Sequence, residues 1–83
     1  MAYYYRTKGV CAGGIRFDIQ DGKVTDVQFE GGCHGNTQGI AKLVEGMDAR
    51  EVIHRLSGIR CRIKSTSCPD QLAKALQEVL GKE

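Results

Sequence analysis

The spacing of apolar residues changes period once along this chain, and that change limits the folds open to it. Ile15, Phe17 and Ile19 alternate with Arg16, Asp18 and Gln20, and Val27 and Phe29 alternate with Asp26, Gln28 and Glu30. A period of two marks a strand with one buried face. Beyond residue 36 the apolar positions fall three and four apart: Ile40, Ala41, Leu43 and Val44, then Val52, Ile53 and Leu56, then Leu72, Ala73, Leu76, Val79 and Leu80. That spacing paints a stripe along a helix. Strands followed by helices give an α+β fold, a small antiparallel sheet with a β-hairpin followed by three helices.

Local signals set the boundaries. Tyr3 to Thr7 is rich in β-prone aromatics and reads as a further strand. Asp21-Gly22 marks the hairpin. A two-residue loop there would pair Ile19 with Val24, Phe17 with Asp26 and Ile15 with Gln28, setting polar groups against the apolar face. A three-residue loop, Gln20-Asp21-Gly22, pairs Phe17 with Thr25 and Ile15 with Val27, and puts Gly22 at the left-handed position of a G1 bulge. The second register is expected, because a one-residue slip turns every side chain over. Asn36 is expected to cap the first helix and Gly46 to end it. Asp48 with Glu51 resembles a capping box for the second helix, closed by Gly58. Pro69 suits the first position of the third helix, with Cys68 as its cap and Gly81 at its end.

The chain has 83 residues and one expected domain, 1–83, with no Trp, three Tyr and two Phe. A chain this short buries only about 60% of its unfolded surface, so a metal, disulfides or a partner chain is often needed. No stretch is apolar enough to span a membrane, and the N-terminal residues lack a secretory apolar segment. A cytoplasmic location is therefore expected, where disulfides are disfavoured. Four cysteines in such a setting read as metal ligands or redox groups. The net charge of +2 points away from nucleic acid. Arg60, Arg62 and Lys64 flank Cys61; they read as solvated surface, or as cations that offset thiolate charge or meet an acidic partner.

The cysteines are Cys11, Cys33, Cys61 and Cys68. Cys11 precedes one strand of the hairpin and Cys33 follows the other, so antiparallel pairing should bring them close. Cys68 opens the last helix, and the segment from Cys61 can fold back towards it. Six of the eleven glycines lie within three residues of Cys11 or Cys33, which lets backbone amides approach sulfur. Two helix starts would also face the cluster, and their partial positive charge favours thiolates. Four thiolates suit tetrahedral zinc or an iron–sulfur centre, and no C-x-x-C pair selects between them. Cys61 has a second reading, as a core residue on a short strand Arg60-Cys61-Arg62-Ile63. His34 is a candidate ligand or a hydrogen-bond donor to sulfur. His54 should face solvent. Ser65, Thr66 and Ser67 read as cap and turn residues. No nucleophile–base pair or paired carboxylates stand out.

Thr66-Ser67-Cys68-Pro69-Asp70, with Gly31-Gly32-Cys33-His34-Gly35-Asn36 upstream, resembles the TSCPD domain. The chain is similar to small stand-alone bacterial TSCPD proteins. The same domain forms the C-terminal tail of adenosylcobalamin-dependent ribonucleotide reductases. The resemblance implies that Cys11, Cys33, Cys61 and Cys68 bind a metal or cofactor. The order of cysteine, hairpin, Gly-Cys, helices, cysteine and helix also resembles NifU/IscU-type iron–sulfur scaffolds, and implies a NifU/IscU-like fold. Gly13 stands where the scaffold has Asp, Ser67 where it has His, and Cys61 has no counterpart. Those departures fit a fully cysteine-ligated site better than a transferable cluster.

The implied function is a cysteine-rich metal-binding accessory module, zinc or iron–sulfur, associated with a ribonucleotide reductase (ribonucleoside-diphosphate reductase) or another redox protein. An 83-residue chain cannot supply a reductase's barrel, radical cysteine and nucleotide pocket, so such activity would be inherited from, or would support, a partner. The alternatives are a dithiol redox module using Cys61 and Cys68, an iron–sulfur scaffold or carrier, and a binding domain whose cysteines are core. The small core and apolar helices also make a homodimer an expectation.

Overall fold

The structure is a computed structural model that describes residues 2–10, 12–32 and 34–81. Three strands come first, β1 (Ala2–Arg6), β2 (Ala12–Gln20) and β3 (Lys23–Gly31). Three helices follow, α1 (His34–Val44), α2 (Ala49–Leu56) and α3 (Cys68–Gly81). The strands form one antiparallel sheet in the order β1-β2-β3. The α+β plan read from the change of period is the observed one. Strand β1 pairs Tyr3 with Phe17 and Tyr5 with Ile15, and the rings of Tyr3 and Phe17 stack with centroids 5.5 Å apart.

The hairpin register differs from expectation. Asp21 and Gly22 both have positive φ, 54° and 77°, as a two-residue type I′ turn requires. Ile19 pairs with Val24 and Asp18 with Thr25, yet Arg16 pairs with Gln28 and Ile15 with Phe29. One extra residue of β3 is absorbed between them, and Asp26 and Val27 together oppose Phe17. Asp26 carries the irregularity at φ 56°, and its amide donates to Glu45 Oε1 at 3.0 Å. The expected three-residue loop was needed only for an unbroken ladder. A bulge resets face parity mid-strand, so Val24, Val27 and Phe29 can all serve the core side.

The helices cover that side. Ile15, Phe17, Val24, Val52, Leu72 and Leu76 are fully buried. Each such side chain contributes about 1.5–3 kcal/mol of transfer free energy. Gly46 ends α1 with φ 80°, and Gly58 follows α2 with φ 85°. Asp48 caps α2 by accepting the Arg50 N–H at 2.9 Å, while Glu51 turns instead to Arg55 at 2.7 Å. The link between α1 and α2 runs along the start of β3: Val24 N–H donates to the Met47 carbonyl at 2.8 Å, and Ala49 N–H to the Gly22 carbonyl at 2.8 Å. Helix α1 begins at His34, two residues before the expected Asn36. No helix is long and apolar enough to cross a membrane among the described residues.

The bulge makes a prediction. Asp tolerates positive φ, whereas a β-branched residue is strained there. Asp26→Val should lower stability by about 1–2 kcal/mol, read as a lower urea midpoint. Asp26→Gly should retain wild-type stability within about 0.5 kcal/mol.

Candidate metal centre

Helix α3 opens one residue earlier than its proline suggests. Gln71 N–H donates to the Ser67 carbonyl at 2.8 Å, so Ser67 is the cap and Cys68 the first helical residue. Ser67 Oγ accepts the Asp70 N–H at 3.2 Å and donates to the Ile59 carbonyl at 2.7 Å. One hydroxyl therefore caps the helix and holds the incoming loop. The cap expected at Cys68 is therefore Ser67, one of the three residues read as cap and turn, whereas Thr66 bonds Asp70 and Gln71 instead of making a turn.

Asp70 anchors the same junction from inside. Its carboxylate accepts the Thr66 hydroxyl at 2.5 Å and the Gly58 N–H at 2.7 Å, and pairs with Lys74 at 3.1 Å. Burial alone would raise this carboxyl's pKa. The donors from Thr66, Gly58 and Lys74 outweigh it and hold the pKa below the ordinary aspartate value. Thr66 Oγ1 in turn accepts Gln71 Nε2 at 2.9 Å, and Gln71 Oε1 accepts the Lys8 N–H at 3.0 Å. The segment before residue 11 is thus fastened to α3. Gly9, at φ 73°, passes so close that a Cβ there would lie 3.3 Å from Thr66 Cγ2.

Between α2 and α3 the chain folds back on itself. Lys64 N–H donates to the Cys61 carbonyl at 2.9 Å, and Cys61 N–H to the Thr66 carbonyl at 3.1 Å. Arg62 takes φ 55° in this turn. The reading of Cys61 as a core residue on a short strand is overturned: the segment is a turn, Cys61 is exposed, and Ile63 is wholly exposed. Three cations in five residues, Arg60, Arg62 and Lys64, keep it in water, and all three are exposed.

A cleft of about 490 Å³ lies against this turn. Cys61, Lys64, Ser67 and Cys68 line it together with Val10, Gly35, Ile40 and Leu43. Cys61 and Cys68 are free thiols brought to a common space. Cys11 and Cys33 lie outside the described residues. Their neighbours are informative. Val10 and Gly35 line the cleft, Ala12 pairs with Gly31, and a Cβ on Gly32 would sit 3.2 Å from the Ala12 nitrogen. Among the described residues, no three His, Cys, Asp or Glu side chains are grouped to hold a metal ion.

The model of the TSCPD domain family matches residues 3–80. The chain belongs to the TSCPD-domain family. No curated protein and no solved structure matches the sequence. The five residues that spell the family's name have separable roles in this TSCPD domain. Thr66, Ser67 and Asp70 tie the junction together, and Pro69 and Cys68 line the cleft.

Of the other candidates, the structure does not bring His34 to the cleft. It is exposed at the start of α1, contacts the Gln38 side chain, and lines a separate hollow with Phe29 and Ala41. His54 is exposed on α2, as expected. Sequence reading missed the apolar wall of Val10, Ile40 and Leu43, and the tie from Asp70 to Gly58. The Ser-x-x-Asp spacing of Ser67 and Asp70 signals the local cap, and nothing in the sequence signals the tie to Gly58.

Removing the anchoring carboxylate leaves the Thr66 hydroxyl, the Gly58 amide and Lys74 without their acceptor. Asp70→Ala should therefore cost about 2–3 kcal/mol, measured by chemical denaturation. Thr66→Val, which loses the donor to Asp70 and the acceptor of Gln71 Nε2, should cost about 1–2 kcal/mol.

Proposed function

We propose that this TSCPD domain is a cysteine-based metal-binding module, in which Cys11, Cys33, Cys61 and Cys68 together hold one zinc ion or one iron–sulfur centre. The observation that supports it is the shared cleft: Cys61 and Cys68 line it together with Val10 and Gly35, near neighbours in sequence of the other two cysteines. Both described sulfurs are free thiols, and Cys68 lies in the first turn of α3, where a helix favours negative charge. Zinc held this way would be structural, because four thiolates close its coordination shell. An iron–sulfur centre would instead give the domain an electron to pass.

On this reading the domain serves a partner. Lys64 on the cleft wall and the exposed Arg60 and Arg62 beside it suit an acidic surface. The TSCPD domain's place in ribonucleotide reductases makes such a reductase, or another redox protein, the proposed partner. A second reading, a dithiol module cycling between two thiols and a Cys61–Cys68 disulfide, is favoured by those two thiols sharing one cleft. A cluster scaffold or carrier is the third.

Metal analysis of untagged protein separates these. About one equivalent of zinc, or iron and sulfide with visible absorbance, is the expected result. Cys61→Ser and Cys68→Ser should each lower the metal content and the thermal midpoint. Less than about a tenth of an equivalent of any metal, with a Cys61–Cys68 disulfide seen by mass after mild oxidation, would favour the dithiol reading. A coloured centre that moves to an apo-acceptor would favour the carrier.

A further inference from the structure

We propose that the free edge of β1 docks a second copy of this chain, β1 against β1, joining two three-stranded sheets into one. This inference is independent of the metal reading, since β1 contributes nothing to the cysteine cleft.

The two edges of the sheet are treated differently. The start of β3 is covered by the Met47–Asp48 segment through main-chain hydrogen bonds. Strand β1 pairs only with β2 among the described residues, over an unbroken register from Ala2 to Arg6. Thr7 N–H donates to the Gly13 carbonyl at 3.3 Å, on the same register. Main-chain groups of alternate residues point to opposite sides of a strand. Thr7, Tyr5 and Tyr3 therefore direct theirs at β2, and Ala2, Tyr4 and Arg6 direct theirs outward. The strand Ala-Tyr-Tyr-Tyr-Arg has no proline, no bulge and no lysine, and Arg6 at its end is its single charge.

Side chains leave that edge open. The Tyr4 hydroxyl donates to Glu30 Oε1 at 2.7 Å, which draws the ring across β2 and away from the edge. Gly14 makes room for it, since a Cβ there would overlap the Tyr4 hydroxyl. The main chain at Tyr4 is thus not screened by its own side chain. A groove of about 320 Å³ runs along the edge, lined by Tyr3, Tyr4, Tyr5, Phe17, Ala75 and Val79, with the acidic Glu78 at its wall.

A second copy is the occupant that fits, because the strand is complementary to itself about Tyr4. Antiparallel pairing centred there makes about six main-chain hydrogen bonds. It sets Tyr3 beside the second copy's Tyr5 over the groove, twice, by symmetry. It also sets Arg6 opposite the second copy's Ala2, which pairs with Asp18. Asp18, buried and accepting the Ile19 N–H at 2.8 Å, lies in the same row beyond this small residue, so the arginine approaches a negative rather than a positive neighbour.

Sedimentation of the full chain over a range of concentrations tests this. A dimer is expected, and Tyr4→Pro should weaken it by about 100-fold or more, because the main-chain donor it removes points outward, while the Tyr4–Glu30 bond lost with the side chain lies within one copy. Its circular dichroism should match wild type. Arg6→Glu, which leaves the backbone alone, should weaken the dimer by about tenfold. In the wild type, amide exchange at Tyr4 and Arg6 should slow as concentration rises. A monomer up to about 1 mM overturns the proposal. So does a dimer that survives folded Tyr4→Pro, or exchange at Tyr4 and Arg6 that ignores concentration. A dimer broken by Leu43→Asp but not by Arg6→Glu would move the interface to the cysteine cleft and equally overturn it.

Discussion

The buried carboxylate of Asp70 is the contact on which the arrangement around the cysteines depends. It binds the end of α2 through Gly58, the motif through Thr66, and its own helix through Lys74. Thr66 then passes the connection to Gln71 and so to Lys8. Three stretches, at Lys8, at Gly58 and over 66–74, are fixed by one chain of polar contacts. A buried network of this kind is costly when a member is left unpaired and rigid when all are satisfied. Here the rigidity falls on the backbone that carries Cys61 and Cys68, and on the residues leading to Cys11.

The same arrangement explains why a motif can be diagnostic without being chemical. Only Cys68 of the five residues offers a soft ligand atom. Thr66, Ser67 and Asp70 spend their polar groups on the junction. Replacing any of them would leave the thiol present but its backbone less well held. A site's supporting contacts decide whether its ligands converge, and in a small domain there is little other structure to do so.

Much of the fold was legible because period and punctuation agreed. The alternation over residues 15–19 and 27–29, and the helical spacing after residue 36, gave the sheet and the three helices with Gly46 and Gly58 as stops. The hairpin register was not legible. A bulge at Asp26 leaves no mark on composition; it shows only as a conflict of parity between the two strands, and that conflict was resolved by lengthening the loop instead of breaking the ladder. For the site, Cys68 was found through its proline and its helix. The exposure of Cys61 was not, because Arg60-Cys61-Arg62-Ile63 alternates like a strand while Arg62 takes a left-handed turn. Strand and turn differ there in backbone sign, which side-chain type does not report.

Exposure of apolar surface is where the cysteine cleft and the β1 edge meet energetically. Leu43 and Ile63 are left largely in water near the cleft, and among the described residues the tyrosine strand pairs on its inner side alone. In a chain of 83 residues each such omission is a sizeable part of what folding could have gained. The two places differ in what could cover them. Three cations beside the cleft repel a second copy of themselves, so that face suits an acidic partner. The β1 edge is free of that conflict and matches its own copy. One face turned to a different protein and one to itself would let a module this small be stabilised by its twin without obstructing the cysteines.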